Sequence, residues 1–146
     1  MGSASDDTIL GWTGDDQIVG LDGDDMIFGE QGSNTYIGGR GSDLFVVAGD
    51  KANTSEFDVI KDFSIDDGDA IDLSSAINRE KVNDEDFVLS NFVRTLDVGY
   101  SIEIQVSRDG LKDGFYTIII LNFNNRLTPS IGDIGNMLIE RHILIS

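Results

Sequence analysis

Large apolar residues in the first third of the chain follow neither a helical period nor simple alternation. They recur singly, nine positions apart, at Ile9, Ile18, Ile27, Tyr36 and Phe45. Glycine keeps the same step at Gly2, Gly11, Gly20, Gly29 and Gly38, and a second set stands three places later at Ser5, Gly14, Gly23, Gly32 and Gly41. Two places further on come Asp7, Asp16, Asp25, Asn34 and Asp43. Several registers locked to one period are internal repetition, which governs the architecture before any local propensity does.

Each unit divides into a six-residue turn, such as Gly11-Trp12-Thr13-Gly14-Asp15-Asp16, and a three-residue strand, Gln17-Ile18-Val19. The turn glycines permit positive φ and let backbone carbonyls converge. The middle strand residue points inward and its neighbours outward, as the two-residue strand period requires. So short a strand cannot stand alone. Two units must therefore wind into one coil, and each turn must stack on the turn 18 residues away. The expected architecture of residues 2–47 is a parallel β-roll of five nonapeptide repeats.

Beyond Val47 the period stops. Ala48 to Ser55 is a polar loop, Phe57 to Phe63 alternates as a strand, and a turn from Ile65 to Asp69 leads into a strand over Ala70 to Ser74. Asn83 is an N-cap candidate with Asp84, Glu85 and Asp86 in the positive first turn, predicting a helix that carries Phe87, Leu89 and Phe92 to about Val93. Two alternating runs, Tyr100 to Ser107 and Phe115 to Phe123, predict an antiparallel hairpin. A short helix from Pro129-Ser130-Ile131 to about Glu140 and the apolar tail His142 to Ser146 complete the chain. The fold class is all-β dominated: a parallel roll over 2–47, then an antiparallel β-rich region over 48–146 with one or two short helices.

Charge narrows the function. The 146 residues hold 27 acidic against 10 basic side chains, a formal net charge of −17. This excludes nucleic acid and anionic membrane surfaces as natural partners, since both need clustered Lys or Arg. It favours cations. The chain has no cysteine, which excludes disulfides and thiolate metal sites. No apolar run approaches a membrane span, and Met1 to Asp7 has neither the basic nor the apolar region of a secretory signal peptide.

The acids are placed, not scattered. Calcium takes six to eight oxygens and mixes carboxylates with backbone carbonyls. Stacked turns would set Asp7 against Asp25, Asp25 against Asp43, and Asp16 against Asn34, giving about three inter-turn calcium sites. The candidate ligands are the side chains of Asp7, Asp16, Asp25, Asn34 and Asp43 and the turn glycines Gly14, Gly23, Gly32, Gly41, Gly20, Gly29 and Gly38. The Asn34 site carries the least charge and is expected to be the weakest. Magnesium, with its strict octahedron and retained waters, fits poorly. If these aspartates only made Asx turns, stacked unpaired carboxylates would repel one another. Asp66, Asp67 and Asp69 are a further candidate ion site, with an Asp/Gly turn the favoured reading. Arg108 to Gly114 is loosely EF-hand-like but lacks the closing glutamate, and is read as a turn.

Nothing predicts catalysis. His142 is the sole histidine, so a nucleophilic triad would have to use the terminal tail. No nucleophile elbow, HExxH helix or phosphate-cradling loop appears.

The nonapeptide register resembles the RTX, or repeats-in-toxin, family, whose consensus is G-G-x-G-x-D-x-U-x. The chain departs from it at Ser3, Trp12, Leu21 and Glu30, since only Gly38-Gly39 keeps the double glycine, and at Ser5 and Asn34. Asp58 to Phe63 with Asp69 to Ser74 resembles the segment that follows the repeats in many type I secreted RTX proteins, which implies a cap over the open end of the roll. The hairpin, short helix and apolar tail resemble the C-terminal secretion domain of large surface adhesins and other RTX exoproteins. This implies an uncleaved export signal read by an ABC transporter, its adaptor and an outer-membrane channel of a Gram-negative bacterium. Met137 to Ile145 would equally serve as a terminal element docked on the core, because export uses the unfolded form.

The expected function is a noncatalytic, monomeric calcium-binding module at the end of a larger secreted or cell-surface protein. It would stay unfolded in the cytosol and fold on extracellular calcium. The alternative is a carbohydrate- or ligand-binding accessory module of a secreted enzyme or adhesin, with Trp12 and Phe28 as the exposed aromatic candidates. Ice binding would want repeated Thr or Asn, whereas the position before each metal-site residue reads Asp6, Asp15, Asp24, Ser33, Ser42.

Overall fold

A computed structural model describes residues 1–48, 51, 54–77, 92–99, 101–107, 110 and 114–122. These contain strands β1 (Thr8–Leu10), β2 (Gln17–Asp22), β3 (Met26–Phe28), β4 (Thr35–Arg40), β5 (Leu44–Val46), β6 (Asp58–Ile60), β7 (Ala70–Asp72), β8 (Val93–Asp97), β9 (Ser101–Ser107) and β10 (Phe115–Asn122). One sheet runs β1-β3-β5-β7 and the other β2-β4-β6-β10-β9-β8. Among the described residues no helix is long and apolar enough to cross a membrane.

The repeats pair in parallel at the expected register. Ile9 lies beside Ile27 and Ile27 beside Phe45 in one sheet, while Ile18 lies beside Tyr36 in the other. Both sheets send these middle residues into one shared core. Ile27 and Phe45 are fully buried, and Ile9, at the end of the stack, only partly. Each such burial contributes about 1.5–3 kcal/mol, which a three-residue strand gains only by stacking. The Tyr36 and Phe45 rings lie 5.8 Å apart, and Phe63 continues the aromatic column 6.3 Å from Phe45.

The coil outlasts the sequence period. β6 pairs in parallel with β4, Ile60 beside Tyr36, and β7 with β5, Ile71 beside Phe45. These strands add another coil at steps of 24 and 26 residues in place of 18. Both are shorter than the runs expected over 57–63 and 70–74. The chain leaves β6 at once because the Asp62 carboxylate accepts the N–H groups of Gly38 and Gly39 at 3.0 and 2.9 Å.

The expected hairpin is present as antiparallel β9 and β10, and β10 also pairs in parallel with β6. The antiparallel region therefore extends the sheet of the second and fourth repeats. A register shift between Thr117 and Ile119 lets Ile118 and Ile119 both be buried. β8 was not expected: Val93, where the predicted helix was to end, instead opens a strand in which Val93-Arg94-Thr95 alternates against β9. The rest of that helix, the helix over 131–140 and the tail 142–146 lie outside the described residues.

Candidate metal centre

Stacking brings the repeat acids into two ladders, one along each edge of the roll. On the first edge the N–H of Asp7 donates to Asp25 Oδ1 at 2.8 Å and that of Asp25 to Asp43 Oδ1 at 3.0 Å. On the second edge the N–H of Asp16 donates to Asn34 Oδ1 at 3.0 Å. Each side chain thus fixes the backbone of the turn 18 residues before it. Both ladders run on past the repeats. Asp43 N–H donates to Asp69 Oδ1 at 3.0 Å and Asn34 N–H to Asp58 Oδ1 at 2.8 Å.

A separate outer ladder runs the opposite way. Asp6, Asp15 and Asp24 accept the N–H groups of Asp24, Ser33 and Ser42 at 2.8–2.9 Å. These exposed acids organise the turns and leave the buried row free for other work.

The ladder hydrogen bonds leave buried oxygens over. Asp16 Oδ2, Asp25 Oδ2 and Asp43 Oδ2 are buried with no hydrogen-bond partner, as is the amide nitrogen of Asn34. Asp25 and Asp43 are only 2% and 1% exposed. A buried, half-satisfied carboxylate costs several kcal/mol, so these oxygens call for a cation. Space is kept for them: a Cβ at Gly20 or Gly38 would overlap Asp25 Oδ2 or Asp43 Oδ2, and one at Gly11 would come 3.1 Å from Asp16 Oδ2. Among the described residues no three His, Cys, Asp or Glu side chains converge. Turn carbonyls must therefore complete any ion's shell. Hard, buried carboxylate oxygens beside peptide carbonyls fit calcium.

Three of the four end rungs differ from the inner ones, Asp16 being the exception. Asp7 Oδ2 accepts Ser3 N–H at 2.6 Å, Asp69 Oδ2 accepts Ser64 N–H at 2.7 Å, and Asp58 Oδ2 accepts the Tyr36 hydroxyl at 2.9 Å. Lys51, fully buried, donates from Nζ to the Gly32 carbonyl at 2.7 Å and to Asp58 Oδ1.

Electrostatics mark the first edge. Burial, reinforced by the charges of Asp25, Asp62 and Asp24, pushes the Asp43 carboxyl up to about 6, although the Asp25 N–H opposes the rise. Burial likewise pushes Asp69 up to about 7, with Asp43 and Asp62 adding to it. Tyr36 is held far above the ordinary phenol range by burial and by the Asp58 charge.

Turn geometry explains the glycines. Gly14, Gly23, Gly32 and Gly41 all have φ between 93° and 123°. The second turn position is left-handed too, with φ of 112° at Gly39, yet Trp12, Leu21 and Glu30 hold it at 71°, 94° and 60°. Those three departures from the double glycine therefore carry backbone strain.

Sequence reasoning placed Asp7, Asp16, Asp25, Asn34 and Asp43 in these stacks, named Asp69 only within a separate candidate turn site, and missed Asp58 and Lys51. A signal for Asp58 and Asp69 was available. Asp58-Val59-Ile60 and Asp69-Ala70-Ile71 keep the Asp-x-apolar spacing of Asp16-Gln17-Ile18 after the glycines have lost their nine-residue register. The Asp66 and Asp67 side chains are exposed, and Asp69 alone of that trio joins a ladder.

The family model for the RTX calcium-binding nonapeptide repeat matches residues 1–27 and 13–45, in four copies. No curated protein matches the chain in sequence. Among solved structures, the AlgE6R3 subunit of the Azotobacter vinelandii mannuronan C5-epimerase is similar in fold. It is 24% identical, with a TM-score of 0.55 over 83% of this chain and 67% of that one. Repeat register, ladder geometry and family match agree: residues 1–45 form a calcium-binding RTX repeat domain, folded as a β-roll.

Proposed function

We propose that the chain is a noncatalytic folding and export module whose roll is completed by extracellular calcium. One observation carries the calcium dependence: Asp16, Asp25 and Asp43 each keep a buried carboxylate oxygen that no protein donor meets. Without calcium these oxygens and the net charge of −17 oppose collapse. With it, binding free energy becomes folding free energy. Calcium at a hundred times a site's dissociation constant adds about 2.7 kcal/mol per site, and about three sites would supply much of the 5–15 kcal/mol typical of a domain. An unfolded chain where calcium is scarce is what a type I ABC transporter, adaptor and outer-membrane channel can thread, and folding outside would hinder its return. The resemblance of the hairpin and tail to adhesin secretion domains supports the export half.

Calorimetric titration of chelator-treated protein tests the binding half, with about three calcium ions expected and none with magnesium. The export half is tested by fusing a passenger to the chain and deleting residues 134–146. Loss of export is expected, and undiminished export would contradict it. A second reading, an accessory surface for carbohydrate, is favoured by Trp12, 63% exposed on a turn. Phe28 is partly buried and adds less. Calcium-dependent binding on a glycan array that Trp12→Ala abolishes would establish it.

A further inference from the structure

We propose that Lys51 is a built-in cation that serves the last rung of the second edge, so that this rung needs no metal. The inference rests on the reading of the repeat turns as calcium sites.

Asp58 is a ladder residue in every respect but sequence context. It accepts the Asn34 N–H as Asn34 accepts the Asp16 N–H, and Val59 N–H donates to the Asn34 carbonyl as Thr35 N–H donates to the Asp16 carbonyl, both at 2.8 Å. The rung therefore presents the donor set of the repeat, a turn-glycine carbonyl and the next carboxylate in the stack. At that place stands the Lys51 ammonium, bonded to Gly32 O and Asp58 Oδ1 and 0% exposed. The remaining Asp58 oxygen is taken by Tyr36. Hence no Asp58 oxygen is left unpartnered, in contrast to Asp16, Asp25 and Asp43. Lysine is almost never fully buried unless paired, and here its partners are the oxygens that the repeat elsewhere offers an ion.

The first edge ends otherwise. Asp69 is held by the backbone N–H groups of Asp43 and Ser64, Asp43 Oδ2 remains unpartnered, and the only ion pair among the described residues is Lys51 with Asp58. One edge thus closes on a tethered ammonium and the other depends on a cation from solution.

Calcium stoichiometry and the calcium midpoint of folding, measured for the wild type, Lys51→Met and Lys51→Met/Asp58→Asn, test this. Lys51→Met is expected to bind one calcium more than the wild type and to fold with a midpoint at least tenfold higher in calcium. The double variant, with neither charge, is expected to bind the wild-type number. An unchanged count and midpoint in Lys51→Met would overturn the proposal. If Lys51→Met stays unfolded at every calcium level, the double variant decides: folding with the wild-type count supports the assignment, and failure to fold overturns it. A wild type that binds no calcium would instead overturn the underlying calcium reading, and that result is separately visible in the same titration.

Discussion

The two edges of the roll are built from one nonapeptide, yet they meet the same electrostatic problem by different means. Along the first stand Asp7, Asp25, Asp43 and Asp69; along the second stand Asp16, Asn34 and Asp58, with Lys51 beside the last. The first edge stacks four carboxylates with no cation among the described residues, and burial raises the last two, Asp43 and Asp69. The second replaces one carboxylate by an amide and pairs another with an ammonium. A repeat fixes backbone geometry, whereas single departures from it set how much each edge asks of the solution.

The largest expected effect separates the edges directly. Lys51→Met leaves Asp58 buried and unpaired, and denaturation at low calcium should show a loss of about 3–5 kcal/mol. Asp43→Asn on the opposite edge should do the reverse in chelator, raising stability by removing a repelled charge while keeping an oxygen for the Asp25 N–H. With calcium present it should lower affinity. If both variants respond alike, the edges are not distinct.

Glycine substitutions sharpen the comparison at a cost of about 1–3 kcal/mol each. A Cβ at Gly29 would overlap the Tyr36 hydroxyl, and one at Gly38 would overlap Asp43 Oδ2. Gly29→Ala should therefore disturb Tyr36 and Asn34 on the second edge, while Gly38→Ala should weaken calcium binding on the first, as titration calorimetry would show.

Acidity acts on the first edge. Asp43 and Asp69 sit at about 6 and 7 when folded, against 3.8 for the free side chain. The metal-free folded state thus holds protons that the unfolded chain releases, and its stability should fall as pH rises from about 4 to about 7. The folded fraction in chelator, read by far-UV circular dichroism across that range, checks the sign by diminishing as pH rises, and Asp69→Asn should flatten the slope.

The smallest effect concerns strain. Trp12 is largely exposed and holds φ at 71°, so Trp12→Gly should stabilise the calcium-loaded roll by about 1 kcal/mol. A loss of stability would mean that the indole packs on something that matters more than its backbone.

How legible all this was depends on repetition. Ile18, Tyr36 and Asp25 each recur in phase, so the sheets, the inward faces and the acid stacks follow from period and strand alternation alone. Asp58 and Asp69 were half legible: they keep the apolar residue two places on, but loops of changed length hide the stacking. Lys51 was not legible, because a lysine in a polar stretch reads as a solvated charge until the coil places Gly32 and Asp58 against it. β8 was missed because the acidic N-cap signal at Asn83 outweighed a short alternating run whose partner strand comes later in the chain.

Far-UV circular dichroism of chelator-treated protein during a calcium titration, with magnesium as control, tests the central claim most directly. A cooperative gain of β signal with calcium and none with magnesium is the predicted result. A chain fully folded in chelator and indifferent to added calcium would contradict the account.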